Sequence, residues 1–371
     1  MDVCGRAALK ARRGACLAAG RFLQPDLAPA ITGAILFAVA LAVPVRIPSD
    51  APLSATLRAA DGTLLGARTA VDGQWRFEPS STIPHQFSAA LVGYEDRRFY
   101  GHCGFDPRAI VRALAANASA GRIVSGASTL TMQLARLVRS PGPRTLAAKL
   151  VELWMAVRLE LRNTKEGLLA RYAAIAPFGA NVVGLEAAGF RWFGRPPANC
   201  TWAEAATLAV LPNSPGLVHP YRSRDVLKAR RDALLERLYE GGIIDAPALE
   251  SALAELLPST PRPMPDLVPH LTSVAPPGPT LTHIDARLQA EANGVARRHA
   301  DRLAAQGIQN LAAVILKVED GNPVVYIGNS PPGRQAARNG YEPSSGADAG
   351  IDYADAYWVA LFGKASCREV G

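Results

Sequence analysis

The residues best suited to chemistry fall in three short blocks. The first runs Glu95-Asp96-Arg97-Arg98-Phe99-Tyr100-Gly101-His102-Cys103-Gly104-Phe105-Asp106. A carboxylate held among apolar rings can have its pKa tuned for general-base work, and Glu95 stands close to Phe99, Tyr100 and His102 in the chain. The second runs from Ser125 to Arg136 and reads SGASTLTMQLAR. Ser128 is suited to capping a helix there. Thr129, Gln133 and Arg136 then fall at i, i+4 and i+7 on one face, with Leu130, Leu134 and Leu137 on the core face. A hydroxyl, an amide and a guanidinium in a row behind a helix N-terminus can grip phosphate and sugar oxygens. The third is Lys149-Leu150-Val151-Glu152, whose i, i+3 spacing puts Lys149 beside Glu152. Taken singly, each block has an ordinary counterpart: a charged helix end, a polar stripe on an amphipathic helix, and a surface ion pair.

The elements that must position these residues are mainly helical. From 80 to 255 the chain is rich in Ala and Leu at helical spacing, broken by short Gly/Pro segments. Ahead of it, residues 55–70 carry an Asp61-Gly62 turn between short apolar runs, which predicts a hairpin. Residues 256–280 are proline-rich and read as a linker or an extended crossing segment. An amphipathic helix follows from 281, then two apolar runs around Asp320-Gly321-Asn322 that read as strand–turn–strand. The tail at 330–371 has little periodicity.

Composition narrows the class. The chain has 371 residues, 49% hydrophobic and 19% charged, enough apolar material for more than one core. A net charge of +8 suits an anionic partner: a membrane surface, a diphosphate or nucleic acid. No basic run with interleaved aromatics is present, which argues against nucleic acid. The five cysteines form no CxxC pair, which argues against a zinc site or a disulfide framework. Ala28 to Val45 is uncharged and follows Arg6, Lys10, Arg12, Arg13 and Arg21. It reads as a membrane anchor over 28–48, with a cytoplasmic basic tail at 1–27 and the remainder outside the membrane.

In order along the chain stand EDRRFYGHCGFD, SGASTLTMQLAR, KLVE, YAAIAPFG with LEAAGFRWFG, and EAATLAVLPNSP. This series, over about 55–255, resembles the glycosyltransferase domain of class A penicillin-binding proteins, glycosyltransferase family 51. The resemblance implies a lysozyme-like helical glycosyltransferase domain after the transmembrane helix. A short α+β fragment of a transpeptidase domain would follow at 281–329. It implies lipid II, an undecaprenyl-diphosphate-linked disaccharide-pentapeptide, as substrate, and a growing β-1,4 glycan strand as product. Other cell-wall synthesis proteins are further partners it suggests. Glu95 falls on the family's catalytic base. Lys149 and Glu152 fall on the pair that assists the departing diphosphate. Asp96, Phe99, His102, Ser128, Thr129, Gln133 and Arg136 fall on substrate-binding positions. The sequence shows no metal cage, while the resemblance leaves open a divalent cation, magnesium or manganese, at the diphosphate.

The chain departs from the family pattern at Ala174, where Asn is usual, and at Ala148, where many members have Arg. No serine has Lys three positions on and there is no Lys-Thr-Gly, so no transpeptidase activity is expected. The tail after Ser330 does not follow the family either, which reads as a truncation or a frameshift. Two rival readings follow: an inactive anchored remnant, and a lysozyme-like hydrolase built on the same glutamate.

Overall fold

The computed structural model describes residues 45, 51–122, 124, 126–139, 145–213, 223–308 and 310–328. The expected basic tail at 1–27, the anchor at 28–48 apart from Val45, and the tail at 330–371 lie outside the described residues. Among the described residues, no helix is long and apolar enough to cross a membrane.

The helical part is built on three elements: α1 (His85–Glu95), α7 (Trp202–Val210) and α8 (Arg224–Glu240). Every residue of α7 from Ala203 to Val210 is buried. Its alanines let neighbouring helices approach closely, and a capping box fixes its start. Thr201 Oγ1 accepts from the Glu204 N–H and Glu204 Oε2 accepts from the Thr201 N–H, both at 3.1 Å. Phe87, Ala90 and Leu91 of α1 are fully buried, as are Leu227, Leu234 and Leu235 of α8, so the three helices share one apolar seam.

Between α1 and α7 lie α2 (Pro107–Ala120), α3 (Leu130–Arg139), α4 (Leu146–Glu160), α5 (Lys165–Ile175) and the short α6 (Leu185–Ala188). Asp106 caps α2 by accepting from the Arg108 N–H at 2.9 Å, with Pro107 at the first helical position. Thr145 and Thr164 cap α4 and α5 in the same way. Two short strands, β3 (Trp75–Arg76) and β4 (Val182–Val183), pair in parallel at the edge of this part.

The expected hairpin is present: β1 (Ala55–Arg58) pairs antiparallel with β2 (Leu64–Arg68). Its third strand is remote in sequence. The proline-rich stretch contributes β5 (Gly278–Leu281), which runs parallel to β1. The segment after helix α9 (Ala246–Ala254) also supplies α10 (Pro269–Val274). Leu57 and Leu65 of the hairpin pack with Val268, Leu271 and Ile284 in one apolar cluster. Burial of these side chains turns a stretch whose prolines suggest a spacer into part of a folded layer.

The last part follows the pattern expected of it. Helix α11 (Ala286–Ala304) packs on the hairpin of β6 (Ala313–Leu316) and β7 (Pro323–Ile327) through Ala296, Val325 and Ile327. Fully buried Gln289 locks the two together. Its Nε2 donates to the Tyr326 carbonyl at 2.9 Å and its Oε1 accepts from the Tyr326 N–H at 2.7 Å. All four residues of β6 are exposed.

Candidate active site

Glu95 is the last residue of α1, so its side chain stands at a helix end, where the chain turns away at Asp96. Gln133, one turn into α3, donates from Nε2 to Glu95 Oε2 at 2.6 Å. The Tyr172 hydroxyl donates to Gln133 Oε1 at 3.5 Å, so α1, α3 and α5 meet in one line of polar groups. Burial of the Glu95 carboxylate outweighs the Gln133 hydrogen bond and the nearby Arg136 charge, and the Asp96 charge adds to it; its pKa is pushed up to about 7. Burial also raises the Tyr172 hydroxyl well above its ordinary value, which keeps it a neutral donor. A carboxylate poised near neutral pH is the property a general base needs.

Beneath Glu95 lies a second set of bonds. The Asp96 carboxylate is buried and accepts from the Leu130 N–H at 3.1 Å, at the start of α3. Both of its oxygens also accept from His102 Nε2, at 3.1 and 3.0 Å. A carboxylate at a helix N-terminus is favoured by the helix dipole and by the free N–H groups there. Phe99 is fully buried with its ring edge-on to His102.

The residues read from sequence therefore divide. Glu95, Gln133 and the charge of Arg136 come together. Asp96, Phe99, His102 and Thr129 are bound within the protein, where they shape the loop after α1. Thr129 Oγ1 donates to the Gly104 carbonyl at 2.6 Å and accepts from the Met132 N–H at 3.2 Å. This corrects the expected cap: Thr129, not Ser128, caps α3, because the Gly104 carbonyl and Asp96 fix the chain one residue later. Ser128 is half-buried just before the cap. The expected Lys149–Glu152 pair is also corrected. Glu152 lies 3.6 Å from Arg139 Nη2 of α3, while Lys149 is exposed and forms no ion pair among the described residues. The neighbouring helix offers Glu152 a half-buried guanidinium, a better partner than a solvated ammonium one turn away.

Three polar residues of the site carried no signal of their own in the sequence: Thr131, Glu160 and Lys165. Thr131 Oγ1 donates to Glu160 Oε1 at 2.6 Å. Lys165 Nζ donates to the same oxygen at 2.8 Å and to the His102 carbonyl at 2.7 Å. Their clue lies only in contacts between helices, which spacing along one helix cannot supply. Tyr172 stood in a quoted block, where it read as packing.

Gly104 shows how tightly this loop is seated. Its φ is +91°, and a Cβ there would lie 2.9 Å from the Ala156 carbonyl carbon of α4. Gly104→Ala is expected to destabilise the protein by about 2–4 kcal/mol, through both the backbone conformation and the collision with α4. Urea unfolding of the variant beside the parent protein measures this.

Among the described residues, no group of three His, Cys, Asp or Glu side chains could hold a metal ion. A magnesium or manganese ion shared between one or two carboxylates and a diphosphate needs no such cage, and no step below is routed through a metal.

Residues 62–239 match the model of a protein family described as Transglycosylase. Penicillin-binding protein 1C of Escherichia coli is 34% identical over 276 residues, covering 73% of this chain and 36% of that protein. Penicillin-binding protein 1A of Aquifex aeolicus is 37% identical over 195 residues, covering 52% and 26%. A candidate transglycosylase of Cupriavidus necator is 35% identical over 193 residues, covering 52% of this chain and 83% of that protein. The chain belongs to the transglycosylase family. It spans about a third of the length of the first penicillin-binding protein and about a quarter of the second, at 36% and 26%.

Proposed function

We propose that the chain is a peptidoglycan glycosyltransferase that polymerises lipid II into β-1,4-linked glycan, releasing undecaprenyl diphosphate. The observation that carries this reading is the Glu95 carboxylate, held by Gln133 on a mainly helical frame and tuned to about pH 7. The family match over residues 62–239 supports the same reaction class.

In this reading Glu95 takes the proton from the acceptor sugar's 4-hydroxyl as that oxygen attacks the anomeric carbon of the donor. The bond from that carbon to the diphosphate breaks, and configuration inverts from α to β. Gln133 and, behind it, Tyr172 fix the direction of the Glu95 carboxylate. Arg136 beside Glu95, with Arg139 and Lys149 further along α3 and α4, supplies cationic groups for the departing diphosphate, and Glu152 holds the Arg139 guanidinium in place. Residues 28–48 would anchor the chain in the inner membrane, with the catalytic part on its outer, periplasmic side. The growing strand and other cell-wall synthesis proteins are its expected partners.

The test is polymerisation of labelled lipid II by the full chain in detergent. The base must be ionised, so turnover is expected to rise with pH through a midpoint near 7 and to be low below pH 5. A chain that folds but leaves lipid II unchanged across that range would favour the inactive remnant. Release of reducing ends from purified wall would favour the hydrolase.

A further inference from the structure

We propose that Lys165, clamped by Glu160, is a positioning residue for Glu95, tying the loop that follows Glu95 to the helix that carries Gln133. This rests on the reading of Glu95 as the base. Lys165 opens α5 and Glu160 closes α4. The Lys165 side chain is 20% exposed and that of Glu160 6%, so the pair is largely out of water. An ammonium has three donors, and the structure uses them in different directions. One contact goes to Glu160 and one to the His102 carbonyl at 2.7 Å. The same nitrogen sits 4.3 Å above the centre of the Phe99 ring.

Each contact bears on the Glu95 end of α1. His102 is the residue that donates to Asp96, and Asp96 accepts from the first N–H of α3. Glu160 is held in turn by the Thr131 hydroxyl, which lies in α3 two residues before Gln133. Lys165 therefore fixes both the loop leaving Glu95 and the helix that brings the amide to it. A buried ion pair is weak as a device for stability, since apolar side chains of similar volume pack the same space at no loss. Its directed bonds give geometry, which Glu95 needs in order to stay enclosed by Gln133, Arg136, Asp96, Tyr172 and Tyr94.

Lys165→Met alone leaves the Glu160 charge buried and unpaired, so it reports on folding as well as on position. The double variant Lys165→Met/Glu160→Gln removes both charges and keeps an acceptor for Thr131. The deciding measurement needs no substrate: the Glu95 carboxyl carbon is titrated by NMR in the full chain, its signal assigned with Glu95→Gln. In the parent protein the midpoint is expected near 7. In the folded double variant it is expected to fall by about one unit or more as water reaches the carboxylate. Turnover of lipid II should drop by about tenfold or more with KM changed little, the mark of lost positioning. A folded double variant whose Glu95 midpoint stays near 7 overturns the proposal. If the parent chain does not polymerise lipid II, the functional reading fails, while the titration still decides the role of Lys165.

Discussion

Glu95→Gln is expected to abolish polymerisation of lipid II, by a factor of about 10²–10⁴, while leaving the fold intact. Gln keeps the shape of the side chain, and its carbonyl can still accept from Gln133 Nε2. What it loses is the proton acceptor. The same variant should be more stable than its parent above neutral pH. The pKa of Glu95 rises from 4.5 when unfolded to about 7 when folded, so the folded state holds a proton that the unfolded state releases between those values. The stability that this protonated carboxyl gives is complete below pH 4.5 and is lost as the pH climbs through 7. At pH 8 the ionised, buried carboxylate therefore costs on the order of 3 kcal/mol, which the amide avoids. Urea unfolding at pH 8 and at pH 4 measures the difference, which should vanish at the lower pH. Turnover within tenfold of the parent would remove Glu95 from its role. Equal stability at both pH values would mean that the carboxylate is not enclosed.

Asp96→Ala is the second large effect. It removes the acceptor of two buried donors, the Leu130 N–H and His102 Nε2. The expected loss is about 2–5 kcal/mol, because two buried donors are left without an acceptor at about 1–3 kcal/mol each. Asp96→Asn keeps one carbonyl oxygen for Leu130 and should lose about 1–2 kcal/mol. Both are read from chemical unfolding at pH 7. Activity should follow in the same order, since α3 carries Gln133 and its start is set by Asp96. Full activity in a folded Asp96→Ala protein would show that the start of α3 is fixed without it.

Much of this was legible from residue types and spacing. The Asp61-Gly62 and Asp320-Gly321-Asn322 turns marked both hairpins, since φ at Gly62 and Gly321 is positive and glycine takes it freely. The stripe of Gln133 and Arg136 could be placed on one helical face because i and i+3 positions share it by geometry alone. The start of α3 was misjudged by one residue. Ser128 and Thr129 are both good caps, and the choice between them is made by the Gly104 carbonyl, twenty-five positions earlier in the chain. Local spacing likewise made Lys149 the neighbour of Glu152, but Arg139 arrives from another helix.

Residue order and spacing alone establish that Glu95 and Asp96 stand together ahead of Phe99 and His102, and that a helix carrying Gln133 follows. They leave open what Glu95 would be. A carboxylate is a surface charge or a base according to how much water it keeps. That is decided by packing α1 against α3 and α5, where Gln133 and Tyr172 close over it. Nor could they place Lys165, whose bonds reach Glu160 and His102 from across a helix break and a distant loop. Such contacts join residues whose separation along the chain has no period, so only the folded arrangement brings them into view.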